Sequence, residues 1–185
     1  MKKTAAIMLG DGFEPVEVIG PVDVLRRGGV TVDMVSVMGR TTVTAAQDVT
    51  VEADKLVEDV DLATYDVVIV PGGSVGVENL AKCQALAEDL RKRMADDRPV
   101  ASICAGPTIL ADLGLLEGRE AVCYPGCQTN FPEGVYQAGS DIAVDGNLIT
   151  ATGPAVALVF GIAILNALMG DAVAAEVGKG MLLLK

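Results

Sequence analysis

Short, nearly unbroken apolar runs alternate along this chain with longer stretches whose apolar residues recur at helical spacing, a pattern that predicts strands interleaved with helices. Residues 3–9 form the first run, which ends at Gly10-Asp11-Gly12. Residues 16–27 carry helical spacing and stop at Gly28-Gly29. Residues 31–37 read as a second strand, and the Val/Thr-rich stretch 41–51 as short strand pieces at a sheet edge. Residues 66–70 are the third core strand and run into Pro71-Gly72-Gly73-Ser74, a turn that glycine permits. An amphipathic helix follows over 84–95, then a fourth strand over 100–103 and a helix over 105–113. The Gly-, Pro- and Cys-rich region 121–137 reads as a short strand plus an irregular loop facing the active site. Residues 142–144 and 148–151 flank Asp145-Gly146-Asn147, a strong hairpin signal, and two helices finish the chain.

Strands alternating with helices predict an α/β fold: a doubly wound, mostly parallel sheet with helices on both faces and ligands outside the carboxyl ends of the strands. Residues 10–17, 71–74 and Cys104 all fall at those ends. There is no internal repeat, low-complexity segment or linker, so residues 1–185 are expected to form a single domain.

Composition narrows the function classes. The chain is 51% hydrophobic but only 3% aromatic, with no Trp, so its core must be built from Val, Ala, Leu, Ile and Met. That palette suits buried parallel strands. A net charge of −11 without a long basic cluster argues against nucleic acid and anionic membranes as partners. The longest apolar segment, 155–169, is shorter than the roughly 20 residues a bilayer span needs and contains Gly161 and Asn166. It reads as a buried helix. Four cysteines without a signal peptide do not resemble a disulfide framework, and a reducing cytoplasm is the expected compartment. With no histidine at all, Cys-His and Ser-His pairings and His-ligated metals are excluded.

Cys104 is the most informative residue, because it sits where an apolar strand breaks into Ala105-Gly106-Pro107 and a helix. A thiol there lies near the first helical N–H groups, which favour thiolate, and the small neighbours leave room for a substrate atom, as at a nucleophile elbow. The competing reading is a small buried hydrophobe that ends a core strand. Three strand-end loops would bring together an acid from Glu14 or Glu17, backbone amides from Gly72, Gly73 and Ser74, and the thiol. That set supports covalent carbonyl chemistry with no metal or organic cofactor. On spacing alone, Glu14 and Glu17 fit helix capping better, with Pro15 as first helical residue, and Pro71-Gly72-Gly73 also fits an ordinary tight turn. Cys123 and Cys127 could be metal ligands, or could pair with each other or with Cys104 on oxidation. Three sulfurs without histidine make a poor zinc site, with Cys83 in a separate helical region, so packing of small residues in a loop is the favoured reading.

Taken together, these residues resemble the DJ-1/ThiJ/PfpI family, specifically its DJ-1 (protein deglycase) branch. The resemblance runs nearly end to end and is carried by Gly12-Phe13-Glu14-Pro15-Val16-Glu17, residues 21–29, residues 65–73, residues 101–107 and Thr152-Gly153-Pro154. Ile103-Cys104-Ala105-Gly106-Pro107 is its most specific segment. It implies a flavodoxin-like, class I glutamine amidotransferase-like architecture and a homodimer joined near helix 16–27 and its neighbouring edge strands. It also implies that Cys104 is nucleophile and oxidation site, that Glu17 is a buried protonated acid beside it, and that Gly73 and Ala105 offer amides to substrate. The implied activity is glutathione-independent glyoxalase or deglycase chemistry on methylglyoxal-like 2-oxoaldehydes or their protein adducts. The alternative is a stress sensor or chaperone whose Cys104 becomes a sulfinate, and a third is a binding or scaffold protein with a vestigial site. Two positions depart from the pattern. Tyr124 stands where many members carry histidine, which argues against protease chemistry and leaves Tyr124 as a possible hydrogen-bond donor. Gln47, ahead of Asp48, stands where the branch often has arginine.

Overall fold

Strand β1 (Thr4–Leu9) is apolar from Ala5 onward because both of its faces are covered there. In this computed structural model, which describes residues 2–183, Ala5, Ile7 and Leu9 enter one core and Ala6 and Met8 the other. Helix α1 (Pro15–Arg27) follows, then β2 (Thr31–Ser36), the short strands β3 (Thr42–Thr44) and β4 (Thr50–Glu52), and β5 (Lys55–Leu56). Next come β6 (Val67–Val70), α2 (Ser74–Ala81), α3 (Gln84–Ala95), β7 (Val100–Ile103) and α4 (Pro107–Asp112). The chain closes with β8 (Ile142–Asp145), β9 (Leu148–Ala151), α5 (Ala157–Met169) and α6 (Asp171–Gly180). Among the described residues seven strands form one sheet, in the order β5-β2-β1-β6-β7-β9-β8. Every pairing in it is parallel except β8 with β9. No helix among the described residues is long and apolar enough to cross a membrane.

The two cores lie on opposite faces of the sheet. Val18, Leu25, Phe160 and Ile164 from α1 and α5 fill one, and Leu80, Leu86, Leu90 and Leu110 from α2, α3 and α4 fill the other. Truncating a buried anchor such as Phe160 to Ala costs about 3–5 kcal/mol. Helices α1 and α5 cross closely because residue 161 is glycine: a Cβ there would stand 3.0 Å from both Pro21 Cα and Val24 Cβ. This contact seals the face of α1 that carries Glu17, one turn before Pro21.

The structure departs from the sequence reading at four places. The 41–51 region supplies strands to a separate antiparallel pair, β3 with β4, and the main sheet's edge is β5 instead. Helix α2 occupies residues given to the 71–74 turn and the stretch beyond it; only Gly76 and Leu80 of it are buried, too little apolar rhythm to register. The helix expected from residue 105 begins at Pro107, because residues 104–106 make the turn out of β7. The short strand expected within 121–137 is reduced to one isolated parallel bridge between Ala121 and Tyr136.

Candidate active site

Cys104 leaves strand β7 with φ 63, a left-handed conformation that costs a non-glycine residue about 1–3 kcal/mol. Three backbone bonds hold it there: its N–H donates to the Ala151 carbonyl at 2.9 Å, its carbonyl accepts the Tyr124 N–H at 2.9 Å, and the Gly106 N–H donates to Ile103 at 2.9 Å. Glycine at 106 is a steric requirement, since a Cβ would stand 2.6 Å from both Ser102 Oγ and the Val70 carbonyl oxygen. The result is a half-buried sulfur displayed beyond the strand's carboxyl end, with small residues after it.

The strand-end loop after β6 closes over the one after β1. Glu14 N–H donates to the Gly72 carbonyl at 3.1 Å. Gly73, at φ 89, comes so near the other loop that a Cβ would lie 2.3 Å from the Gly12 carbonyl oxygen. Gly76, in the first turns of α2, presses on the Phe13 backbone in the same way, at 2.7 Å. Glycines at 73 and 76 therefore let α2 and the α1 entrance interlock, which brings the acid to the thiol.

Glu17, not Glu14, is that acid. It is completely buried, and its Oε2 accepts the Gly72 N–H at 2.8 Å. Oε1 has no nitrogen or oxygen partner among the described residues, and the side-chain hydrogen bond open to the carboxyl is with Cys104. Neither acid caps α1 through its side chain: Glu14 occupies the cap position without a side-chain bond and lines the cavity instead. The capping preference drawn from spacing fails because Glu17 lies on the helix face turned into the core.

Burial raises the Glu17 carboxyl to about 7, against the hydrogen bonds from Cys104 and Gly72, with a small further push from the Glu14 charge. Burial also pushes the Cys104 thiol up, reinforced by the charge and hydrogen bond of Glu17; the Ala105 and Gly73 N–H groups pull it down. This reverses the expectation that a helix terminus alone would lower the thiol's pKa. Helix α4 is only six residues long and begins three residues beyond the sulfur, so two individual amides replace a macrodipole. The carboxyl and thiol are one coupled pair in which the first proton leaves far more easily than the second.

The sulfur opens into a cavity of about 450 Å³ lined by Glu14, Ala46, Gln47, Gly73, Ser74, Cys104, Ala105, Tyr124, Cys127 and Pro154. Gly73 and Ala105 thus face this space, whereas the Gly72 N–H, expected among the amides toward substrate, is engaged by Glu17. Gln47 reaches the cavity from the loop between β3 and β4 at φ 59. Tyr124 is half exposed, its ring 3.3 Å from where a Gly153 Cβ would stand, and it also lines a second cavity of about 310 Å³ with Pro154, Tyr136 and Asp141. Sequence reasoning named Ser74 only among the turn's backbone amides, not as the first residue of a helix, and favoured loop packing for Cys127. Helix α2 went unread, and only the fold, which sets Cys127 on the same cavity as Cys104, could have told the role of the loop.

Comparison with known proteins agrees with this fold. The sequence profile of the DJ-1/PfpI family matches residues 3–167. The chain is 37% identical over 186 residues to the Parkinson disease protein 7 homolog of Danio rerio, covering 99% of this chain and 98% of that one. It is 32% identical over 171 residues to the glutathione-independent glyoxalase DJR-1.2 of Caenorhabditis elegans, covering 91% and 90%. The crystal structure of Drosophila melanogaster DJ-1beta superposes with a TM-score of 0.95 at 33% identity, covering 100% of both chains. The architecture is the flavodoxin-like, class I glutamine amidotransferase-like one.

Proposed function

The chain belongs to the DJ-1/PfpI family, and from that premise we propose that it is a cofactor-free, glutathione-independent glyoxalase of the deglycase type. Its substrates in this reading are 2-oxoaldehydes such as methylglyoxal, or their early adducts on proteins. The observation that carries the reading is the fully buried Glu17 carboxyl, anchored by Gly72 and hydrogen-bonded with the one thiol presented on a strained elbow to the cavity. The name of the nematode relative supports the same chemistry.

In this mechanism the pair supplies one negative charge and one movable proton. The Cys104 sulfur adds to the aldehyde carbon, and the carbonyl oxygen takes a proton from Glu17 to give a hemithioacetal. The Gly73 and Ala105 N–H groups stabilise the oxyanion as it develops. Glu17, now a carboxylate, removes the proton from the former aldehyde carbon to form an enediolate and returns it to the neighbouring carbon, while the hydroxyl proton on the former aldehyde carbon passes to the neighbouring oxygen, leaving a thioester. Water hydrolyses the thioester to a 2-hydroxy acid and frees the sulfur, so the net change is the addition of one water to the 2-oxoaldehyde. Protease chemistry is set aside because Tyr124 occupies the histidine position and the chain has no histidine.

A second reading, a redox sensor whose Cys104 becomes a sulfinate, is favoured by those same two N–H groups, which would also bind sulfinate oxygens. A homodimer would meet along the outer face of α1, where Val16 and Ile19 are 49% and 45% exposed. The deciding experiment incubates purified protein with methylglyoxal and no added thiol, following loss of the aldehyde and formation of lactate. The expected result is turnover that Cys104→Ser abolishes and Glu17→Gln lowers at least 100-fold. Aldehyde loss that does not depend on Cys104 would overturn the enzyme reading.

A further inference from the structure

Of the four cysteines, two open on the same space. Cys127 lines the 450 Å³ cavity together with Cys104, and both are half-buried free thiols. Cys123 is fully buried, and Cys83 packs against the core on the other side of the sheet, at the junction of α2 and α3. The backbone ties Cys127 to Cys104 through a single residue: Tyr124 donates its N–H to the Cys104 carbonyl at 2.9 Å, and Cys127 donates its own to the Tyr124 carbonyl at 2.9 Å. Beside Cys127, Gly126 sits at φ 96 with nothing within 4 Å of where a Cβ would stand. The turn carrying Cys127 thus borders the cavity on one side and open space on the other. A disulfide needs the two Cα atoms within about 7 Å of each other.

We propose that Cys127 is the resolving thiol for Cys104, closing a reversible disulfide across the mouth of the site when a peroxide has oxidised Cys104. The Cys104 sulfur attacks one oxygen of the peroxide, the O–O bond breaks, and a sulfenic acid forms as the peroxide is reduced to an alcohol or water. The Cys127 sulfur, giving up its proton, attacks the sulfenyl sulfur; an S–S bond forms, the S–O bond breaks, and water leaves. A low-molecular-weight thiol then reduces the disulfide to two thiols and is itself oxidised to a disulfide. Without a resolving thiol the sulfenic acid meets a second peroxide and becomes a sulfinic acid, which ordinary thiols do not reverse. Cys127 therefore makes oxidation of this site recoverable. The idea does not depend on the glyoxalase reading, because its readout is mass.

The test exposes reduced protein to increasing hydrogen peroxide, blocks remaining thiols by alkylation under denaturing conditions, and measures intact mass and cross-linked peptides. Wild-type protein is expected to lose two hydrogens at low peroxide, with a Cys104–Cys127 link in the non-reduced digest that dithiothreitol removes. Cys127→Ser is expected to gain two oxygens on Cys104 at a peroxide dose at least tenfold lower than wild type needs. Cys123→Ser is expected to keep both the link and the wild-type dose response. The proposal is overturned if wild type and Cys127→Ser form the sulfinic acid at the same dose, or if the link disappears in Cys123→Ser or joins two chains.

Discussion

Glu17 and Cys104 crowd the same point in space, and that point is where a side chain on Gly72 would go. A Cβ built on Gly72 stands 2.6 Å from Glu17 Oε2, 2.6 Å from Cys104 Cβ and 3.0 Å from the Cys104 sulfur. Acid and thiol thus meet only because residue 72 has no side chain, while its N–H fixes the acid at 2.8 Å. The site's chemistry is written into a backbone position as much as into its two reactive groups.

Gly72→Ala should accordingly split the pair. The added methyl has no flexible neighbour to displace except the two functional side chains, so overpacking on the order of 1–3 kcal/mol is expected. Aldehyde turnover should fall at least 100-fold. Urea denaturation measures the first and the methylglyoxal assay the second; unchanged turnover in a folded Gly72→Ala protein would refute the arrangement.

The raised Glu17 carboxyl makes stability depend on pH with a definite sign. Its value is 4.5 when unperturbed and about 7 when folded, so between those limits the folded state holds a proton that the unfolded state has released. Stability is therefore complete below about pH 4.5 and declines as pH rises through about 7, by about 3 kcal/mol for this group. Urea midpoints measured between pH 5 and 8 should fall across that window for the wild type. Glu17→Gln, which cannot ionise, should show a flatter profile.

Much of this was legible beforehand, and the part that was not has one physical origin. The runs at 3–9, 66–70 and 100–103 announce parallel strands because both faces are buried, so nearly every residue inside them is apolar, buried Ser102 being polar. Cys104 is legible for a related reason: small residues after a core strand mark a turn that something must approach. Glu17 is harder, because an acid in the first turn of a helix has a sufficient local explanation in capping. Only the family resemblance singled it out before the fold placed it against Gly72. Helix α2, Gln47 and Cys127 were underread because their roles come from contacts between loops distant in sequence, which no local period encodes. The thiol's ionisation was misjudged for the same reason, since burial and the Glu17 charge act from outside the segment that carries Cys104.

Coupling between acid and thiol should also shape the pH–rate profile. The active form carries one negative charge on the pair, so kcat/KM should rise with a single ionisation near pH 7, where the first proton leaves. In Glu17→Gln only the thiol can ionise, and burial holds it above its usual 9. The rising limb of the residual activity should then move to the alkaline side of pH 9. A limb that stays near 7 in that variant would mean that Glu17 is not the group being titrated.

Tyr124 separates two cavities, of about 450 Å³ and 310 Å³, and lines both together with Pro154. Its ring packs against Gly153, where the lack of a side chain lets it lie close, and half of it remains exposed. A partition of this kind limits how large a group can accompany the aldehyde at Cys104. Tyr124→Ala should join the cavities and improve the ratio of kcat/KM for phenylglyoxal over methylglyoxal at least tenfold. Tyr124→Phe keeps the wall and removes only the hydroxyl, so it should leave that ratio unchanged, and any fall in turnover for both substrates would then measure the hydroxyl's contribution as a hydrogen-bond donor. If Tyr124→Ala leaves the ratio where it was, the ring does not set the size limit, and other residues that line the cavity with Cys104 must do so.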